Sequence, residues 1–347
     1  IQPYKTLSSA IKLINKTGYR CLIVTTEKGE LLGTLSDGDI RRSILKSSKL
    51  NGPIENIYNK DSFFIFDDKR DEVDLYDIFL DKKFDLIPIV NNKKKILDVI
   101  YFDEIYKNKT QLAPVRNDIE VVIMAGGLGS RLLPLTKDTP KPMIKIDKRP
   151  IIQIVIENFY KYGIRDFLIS VNHMSDQIIS FLQDGKNLGV NINYINEKEP
   201  LGTCGSLSLI KNVHRNKNYI ITNADILADL NITDLLKQHD AKKADISVCT
   251  KFHEVNIPYG VVIGDEFVDL IEEKPNKTFW INSGIYVLSA DMIRSLEYNT
   301  KKDMPDFIGD KIKDRKKIAI YPMTGYWKDI GNVKELNEAR ERYKIKK

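Results

Sequence analysis

The chain has 347 residues, 42% hydrophobic and 29% charged, the balance of a soluble globular protein of two domains, or three by length alone. No apolar run approaches the roughly 18 residues of a membrane span, no basic-then-apolar leader stands at the start, and Ile1 leaves the native start open. Three cysteines, odd in number and far apart, argue against a disulfide framework and a zinc site and fit a reducing cytoplasm, while a net charge of +6 with both signs interspersed suits an anionic small molecule no less than nucleic acid.

In chain order, the first predicted element is an amphipathic helix from Leu7 to Lys16, followed by an apolar strand from Cys21 to Thr25. A polar turn, a second strand and a short acidic helix start come next. The pattern recurs after 65 positions: Leu13 falls on Ile78, Ile14 on Phe79, Tyr19 on Phe84, Val24 on Ile89, Leu31 and Leu32 on Ile96 and Leu97, and Ile40 on Ile105. The second copy predicts a helix from Val73 to Lys82 and a strand from Leu86 to Val90. One such unit is too small to bury its own apolar face, so two copies are expected to share a core.

The phrase Gly33-Thr-Leu-Ser-Asp-Gly-Asp-Ile-Arg-Arg42 resembles the strand-to-helix signature of cystathionine β-synthase (CBS) domains, which come in pairs. The resemblance covers residues 1–110 and implies either a packing and dimerisation module or an adenine-nucleotide sensor. In the second role, Ser36 and Asp39 match the hydroxyl and acidic positions, at a helix start whose free N–H groups suit phosphate. Tyr101 and Glu104 stand there in the second copy, which speaks against a second nucleotide site. Self-association through residues 1–110 into a homodimer or higher oligomer is the further expectation.

The polar, proline-containing stretch 107–118 separates the halves, with 111–118 as linker and a second domain over 119–347. That domain opens on a buried strand running into Ala125, Gly126, Gly127, Gly129 and Ser130, a loop able to present backbone N–H groups to phosphate oxygens. The loop is neither a Walker A loop nor the dinucleotide-fold spacing. Arg131 follows Gly129 closely, and Lys141 sits between Pro140 and Pro142. The first offers phosphate a rigid fork and the second a point charge on a stiffened segment. The string resembles the signature of sugar-1-phosphate nucleotidyltransferases, Gly-Gly-x-Gly-x-Arg-Leu-x-Pro-Leu-Thr followed by Pro-Lys-Pro. In that family the loop holds a nucleoside triphosphate, and the equivalents of Arg131 and Lys141 stabilise the transition state.

Further motifs are similar to the family's in its order over residues 119–340. Glu199-Pro-Leu-Gly-Thr-Cys-Gly205 resembles the base-recognition loop, with Gly202 and Thr203 against the nucleobase. The strand from Tyr219 ends in Asp225, which the resemblance makes an Mg²⁺ ligand; Asp329, in Trp327-Lys-Asp-Ile-Gly331, is the second. Gly260, Glu273, Lys274 and Asn282 match positions that face the sugar phosphate, Lys274 as its cation. His173, after the strand from Phe167 to Asn172, is read as structural or peripheral.

The implied fold is a doubly wound, mostly parallel Rossmann-like α/β domain of GT-A type behind the CBS pair. The implied reaction joins a nucleoside triphosphate to a sugar 1-phosphate with release of pyrophosphate, with Mg²⁺ as cofactor and no nucleic-acid or membrane partner. The base-loop segment lacks Gln and carries Glu197 and Glu199, acceptors that suit the donor edge of guanine and favour GTP, with CTP next and UTP further off. The fused architecture resembles the glucosamine-1-phosphate guanylyltransferases that serve legionaminic acid synthesis; mannose 1-phosphate is the alternative. A catalytically silent, adenylate-sensing relative is the rival of another class. Since every signature lies beyond Arg116, a chain beginning there is expected to keep the chemistry.

Overall fold

The computed structural model describes residues 1–46, 50–73, 75, 78–79, 84–101, 116–127 and 129–345. Glu104, Ile105, Leu128, most of the helix predicted over 73–82 and the linker positions 111–115 lie outside the described residues.

The first repeat begins with α1 (Leu7–Thr17), capped by Thr6, whose hydroxyl accepts from Ser9 N at 3.1 Å, and stopped by Gly18 at φ 77°. Leu7, Ala10, Ile11 and Ile14 form its buried face at helical spacing. Strands β1 (Cys21–Thr25) and β2 (Leu31–Ser36) pair antiparallel and lead into α2 (Asp37–Leu45). After the short β3 (Ile65–Phe66), the second repeat supplies β4 (Leu86–Val90) and β5 (Ile96–Tyr101).

The 65-residue offset holds in the strand register. Cys21 faces Ser36 as Leu86 faces Tyr101, and the irregularity after Val24 recurs after Ile89. The two hairpins meet at their turns by reciprocal bonds, Leu31 N to Lys94 O at 2.8 Å and Ile96 N to Gly29 O at 3.1 Å. Each repeat nevertheless keeps its own small core, around Ile11 and Leu35 in one and Ile87 and Ile89 in the other.

The second half is built on a seven-stranded sheet. In chain order its strands are β6 (Ile119–Met124), β7 (Asp166–Val171), β8 (Asn191–Asn196), β9 (Asn218–Asn223), β11 (Ile246–Asn256), β14 (Asn276–Ser289) and β15 (Ile318–Met323). They lie in the order β8-β7-β6-β9-β14-β11-β15. All pairings are parallel except those of β14 with β9 and β11. The central strands are mostly apolar because both faces are covered, with Glu120, Ser170 and Thr222 as buried polar exceptions. One core layer holds α3 (Ile151–Tyr160) and α4 (Ile232–Ala241), and the other packs around Tyr219, Ile221 and Met304. Two short elements leave the sheet: β10 (Ile226–Ala228) pairs with β16 (Trp327–Asp329), and β12 (Val261–Gly264) pairs with β13 (Val268–Glu272). The chain closes on α5 (Val333–Ile345).

The first repeat is docked on this domain through charged groups. Arg41, 2% exposed, pairs with Asp37 on its own helix and Asp234 on α4, donates to Pro322 O at 3.0 Å, and stacks on Tyr321. Burial pushes the Asp37 carboxyl up, against the opposing pull of Arg41. Arg342 of α5 reaches Asp229 at 2.8 Å and Asn15 O at 3.4 Å, and Phe252 of β11 packs on the core of the first repeat. Such pairs are costly to bury and strongly destabilising to break one-sidedly.

Candidate active site

Strand β6 ends at Met124, and Ala125 N still bonds Ser170 O at 2.8 Å before the chain turns into the glycines. A Cβ on Gly126 would lie 3.2 Å from Glu197 Oε1 and Asn172 Cβ. Gly129 has φ 63°, and a Cβ there would press on Lys141 Cβ and Thr136. Thr136 donates to Gly129 O at 2.9 Å and so ties the loop to the segment that carries Lys141. Ser130 and Arg131 open a short turn and are exposed at the loop's rim.

Asp225 follows β9, and Asp329 ends β16. The antiparallel pair β10–β16 sets Ile226 against Asp329, and Ile330 N donates to Asp225 O at 3.0 Å. Lys141, 9% exposed, donates to Asp225 Oδ2 and stands 3.8 Å from Asp329 Oδ1. The other Asp225 oxygen, Oδ1, and Asp329 Oδ1 are buried without a hydrogen-bond partner. Burial, with the neighbouring Asp225 charge, raises the Asp329 pKa against the pull of Lys141. Arg131 lies at the same edge, its guanidinium 3.6 Å from where a Cβ on Gly331 would be. No cluster of three His, Cys, Asp or Glu suited to a metal occurs among the described residues. Two carboxylates with orphaned oxygens beside a glycine loop do fit a hard divalent cation whose remaining ligands come from a bound phosphate and water.

The base-loop residues have structural partners of their own. Glu197 accepts from Ser170 Oγ at 2.5 Å and from Leu201 N at 2.9 Å, so both its oxygens hold the loop in place. Glu199 is exposed. Gly202 needs φ 78°, and a Cβ there would lie 2.7 Å from Asp303 Oδ1 and Lys302 O. Thr203 N and Oγ1 both donate to Asp303 Oδ1, at 3.0 and 3.2 Å. Asp303 was missed in the sequence; the Asp-Met-Pro start of the helix Met304–Lys313 was its only signal.

The candidate sugar residues stand apart. Glu273 and Lys274 are exposed and lie 3.9 Å from each other. Gly260 faces Glu273 Oε2, and Asn282 donates to Tyr286 OH at 2.6 Å. His173 is half-buried. In the first repeat, Ser36 and Asp39 form a capping box at the start of α2, with Ser36 Oγ donating to Asp39 Oδ2 at 2.6 Å.

A glycine loop beside an acidic pair at the C-terminal edge of a mostly parallel sheet is the arrangement in which α/β proteins commonly bind phosphorylated ligands. The chain belongs to the nucleotidyl transferase family, whose profile matches residues 120–345; the CBS domain profile matches residues 1–46. Among curated proteins it is similar to a mannose-1-phosphate guanyltransferase of Pichia angusta, 35% identical over 225 residues, covering 62% of this chain and 61% of that protein. It is also similar to the mannose-1-phosphate guanylyltransferase catalytic subunit beta of Drosophila melanogaster, 31% identical, covering 64% of this chain and 62% of that one. The chain thus spans about three-fifths of the length of these relatives. HddC from Yersinia pseudotuberculosis, solved with GMP-PN, aligns with a TM-score of 0.51 and 26% identity over 65% of this chain and 99% of that one. No helix among the described residues is long and apolar enough to cross a membrane.

Proposed function

We propose that this chain transfers a guanylyl group from GTP to a sugar 1-phosphate, with release of pyrophosphate. The observation that carries this reading is the Lys141–Asp225–Asp329 cluster beside the glycine loop. A phosphate oxygen of the sugar attacks the α-phosphorus; a P–O bond forms, the α–β bridging bond breaks, and the electron pair leaves with pyrophosphate. The nucleophile is already anionic, so no general base is required, and the barrier lies in charge repulsion and orientation. Mg²⁺ held by Asp225 and Asp329 would supply charge neutralisation and polarise the phosphoryl group. The chain's own part is to hold the triphosphate on the loop N–H groups, to meet its charge with Arg131 and Lys141, and to tether the incoming phosphate with Lys274. Thr203 and Gly202 shape the base loop, while Glu199 is the acidic side chain left exposed for a guanine edge.

The names of the relatives and the bound nucleotide analogue of HddC support guanine. The fused CBS region supports glucosamine 1-phosphate, in a route to legionaminic acid, over mannose 1-phosphate. We also retain self-association through residues 1–110 and an adenylate at Ser36 and Asp39 as proposals, checked by light scattering and by adenylate titration. A pyrophosphate-release assay should show GTP with glucosamine 1-phosphate as the fastest pair among the four triphosphates, with mannose 1-phosphate run in parallel. Faster turnover with UTP or CTP would reject the base assignment. No turnover with any pair would reject the enzymatic reading.

A further inference from the structure

One contact of the first repeat reaches the segment that carries Asp329. Lys251 of β11 is 7% exposed, and its ammonium donates to Asn15 Oδ1 at 2.7 Å, Gly325 O at 2.6 Å and Thr324 O at 3.3 Å. Three donors meet three acceptors, so the cation is saturated without a carboxylate. One acceptor belongs to α1, and the other two form the turn leading into β16. That turn runs close to the backbone of its neighbour, since a Cβ on Gly325 would lie 2.3 Å from Asp229 O. Thr324 is buried, and its hydroxyl has no partner, so the side chain at 324 supplies no anchor. Further along, the segment is tied by Trp327 Nε1 to Ser283 O at 2.9 Å and by Ile330 N to Asp225 O. Asp329 therefore sits on a short span paired with β10 from Trp327 on, tied by Asp229 N to Tyr326 O at 2.8 Å, and held at its turn end by Lys251.

Resting on the nucleotidyl-transfer reading above, we infer that Lys251 is a positioning residue through which Asn15 of the first repeat sets the placement of Asp329. The N-terminal module is then part of the metal-holding half of the site. Two neighbouring contacts brace the same junction. Arg342 bridges Asp229 to Asn15 O and lies against Gly18, while Arg41 fixes α2 on β15, the strand that runs into the turn. This departs from the expectation that a chain beginning near Arg116 keeps its chemistry, because such a chain lacks Asn15 and leaves Lys251 one acceptor short.

The test uses full-length protein, with Mn²⁺ as the metal probe followed by electron paramagnetic resonance, beside steady-state kinetics. Lys251→Met and Asn15→Ala should each weaken Mn²⁺ binding, by about tenfold for Lys251→Met. Both should lower kcat while the KM for triphosphate stays within about twofold. Lys251→Arg should recover part of both losses. A purely structural role would lower the melting temperature without moving the Mn²⁺ affinity of the folded fraction. Unchanged Mn²⁺ affinity and kcat in folded Lys251→Met would overturn the inference. If that variant does not fold, Asn15→Ala decides by the same two readings, and wild-type values there overturn it. Wild-type protein that takes up no Mn²⁺ would instead refute the aspartate-pair reading, and this inference with it.

Discussion

Lys141 shares one ammonium between two carboxylates, bonded to Asp225 Oδ2 and 3.8 Å from Asp329 Oδ1. The cation holds two aspartates close together that would otherwise repel, while burial first and the Asp225 charge second still raise the Asp329 pKa.

Replacing Asp225 or Asp329 by Ala should abolish turnover, and Asp225→Ala should also cost about 2 kcal/mol of stability because Lys141 loses its bonded carboxylate in a largely buried site and keeps only the 3.8 Å approach to Asp329. Denaturant titration beside the pyrophosphate assay checks both effects. Near-normal turnover in either variant would remove that residue from the site.

Lys141→Met should slow turnover by about 10²-fold or more, since a preorganised charge aimed at the reacting phosphates is lost. With the cation gone, Asp329, whose pKa burial already raises and Lys141 lowers, holds a proton more tightly. The acid limb of the pH–rate profile should therefore move to higher pH, and an unmoved limb would contradict the shared-cation arrangement.

Gly202→Ala should be destabilised by about 2–4 kcal/mol, because an L residue at φ 78° is strained and its Cβ would press on Lys302 O and Asp303. Asp303→Ala should leave the sheet intact but free the Thr203 turn, raising the KM for triphosphate more than it lowers kcat. Equal triphosphate KM values for Asp303→Ala and wild type would count against a nucleotide role for that loop.

His239 is buried on α4, with Nδ1 2.8 Å from Ser247 Oγ, and burial holds its pKa below the ordinary 6.5. The unfolded chain therefore binds a proton that the folded one resists. This residue's contribution to stability is complete above about pH 6.5 and is lost as the pH falls through the lowered folded value. His239→Gln should show a flatter melting temperature between about pH 7 and 5 than wild type; parallel curves would contradict the assignment.

The sequence by itself determined what is local or periodic. The helix from Leu7, the strands at Cys21 and Leu86 and the 65-residue repeat could be read because each segment's apolar face and caps are written in its own residues. The glycine loop was likewise visible in its own residues, while the roles of Arg131, Lys141 and the two aspartates came from the resemblance to a known family. Only the tertiary structure decided who meets whom. Glu197, read as a base contact, has both oxygens engaged by Ser170 and Leu201, and Thr203 is held by Asp303 from a helix 100 positions away. Asn15 meets Lys251 across 236 positions. A hydrophobic pattern states that a face will be buried, but not against what. A buried charge states that it needs partners, but the partners are chosen by packing of the whole chain.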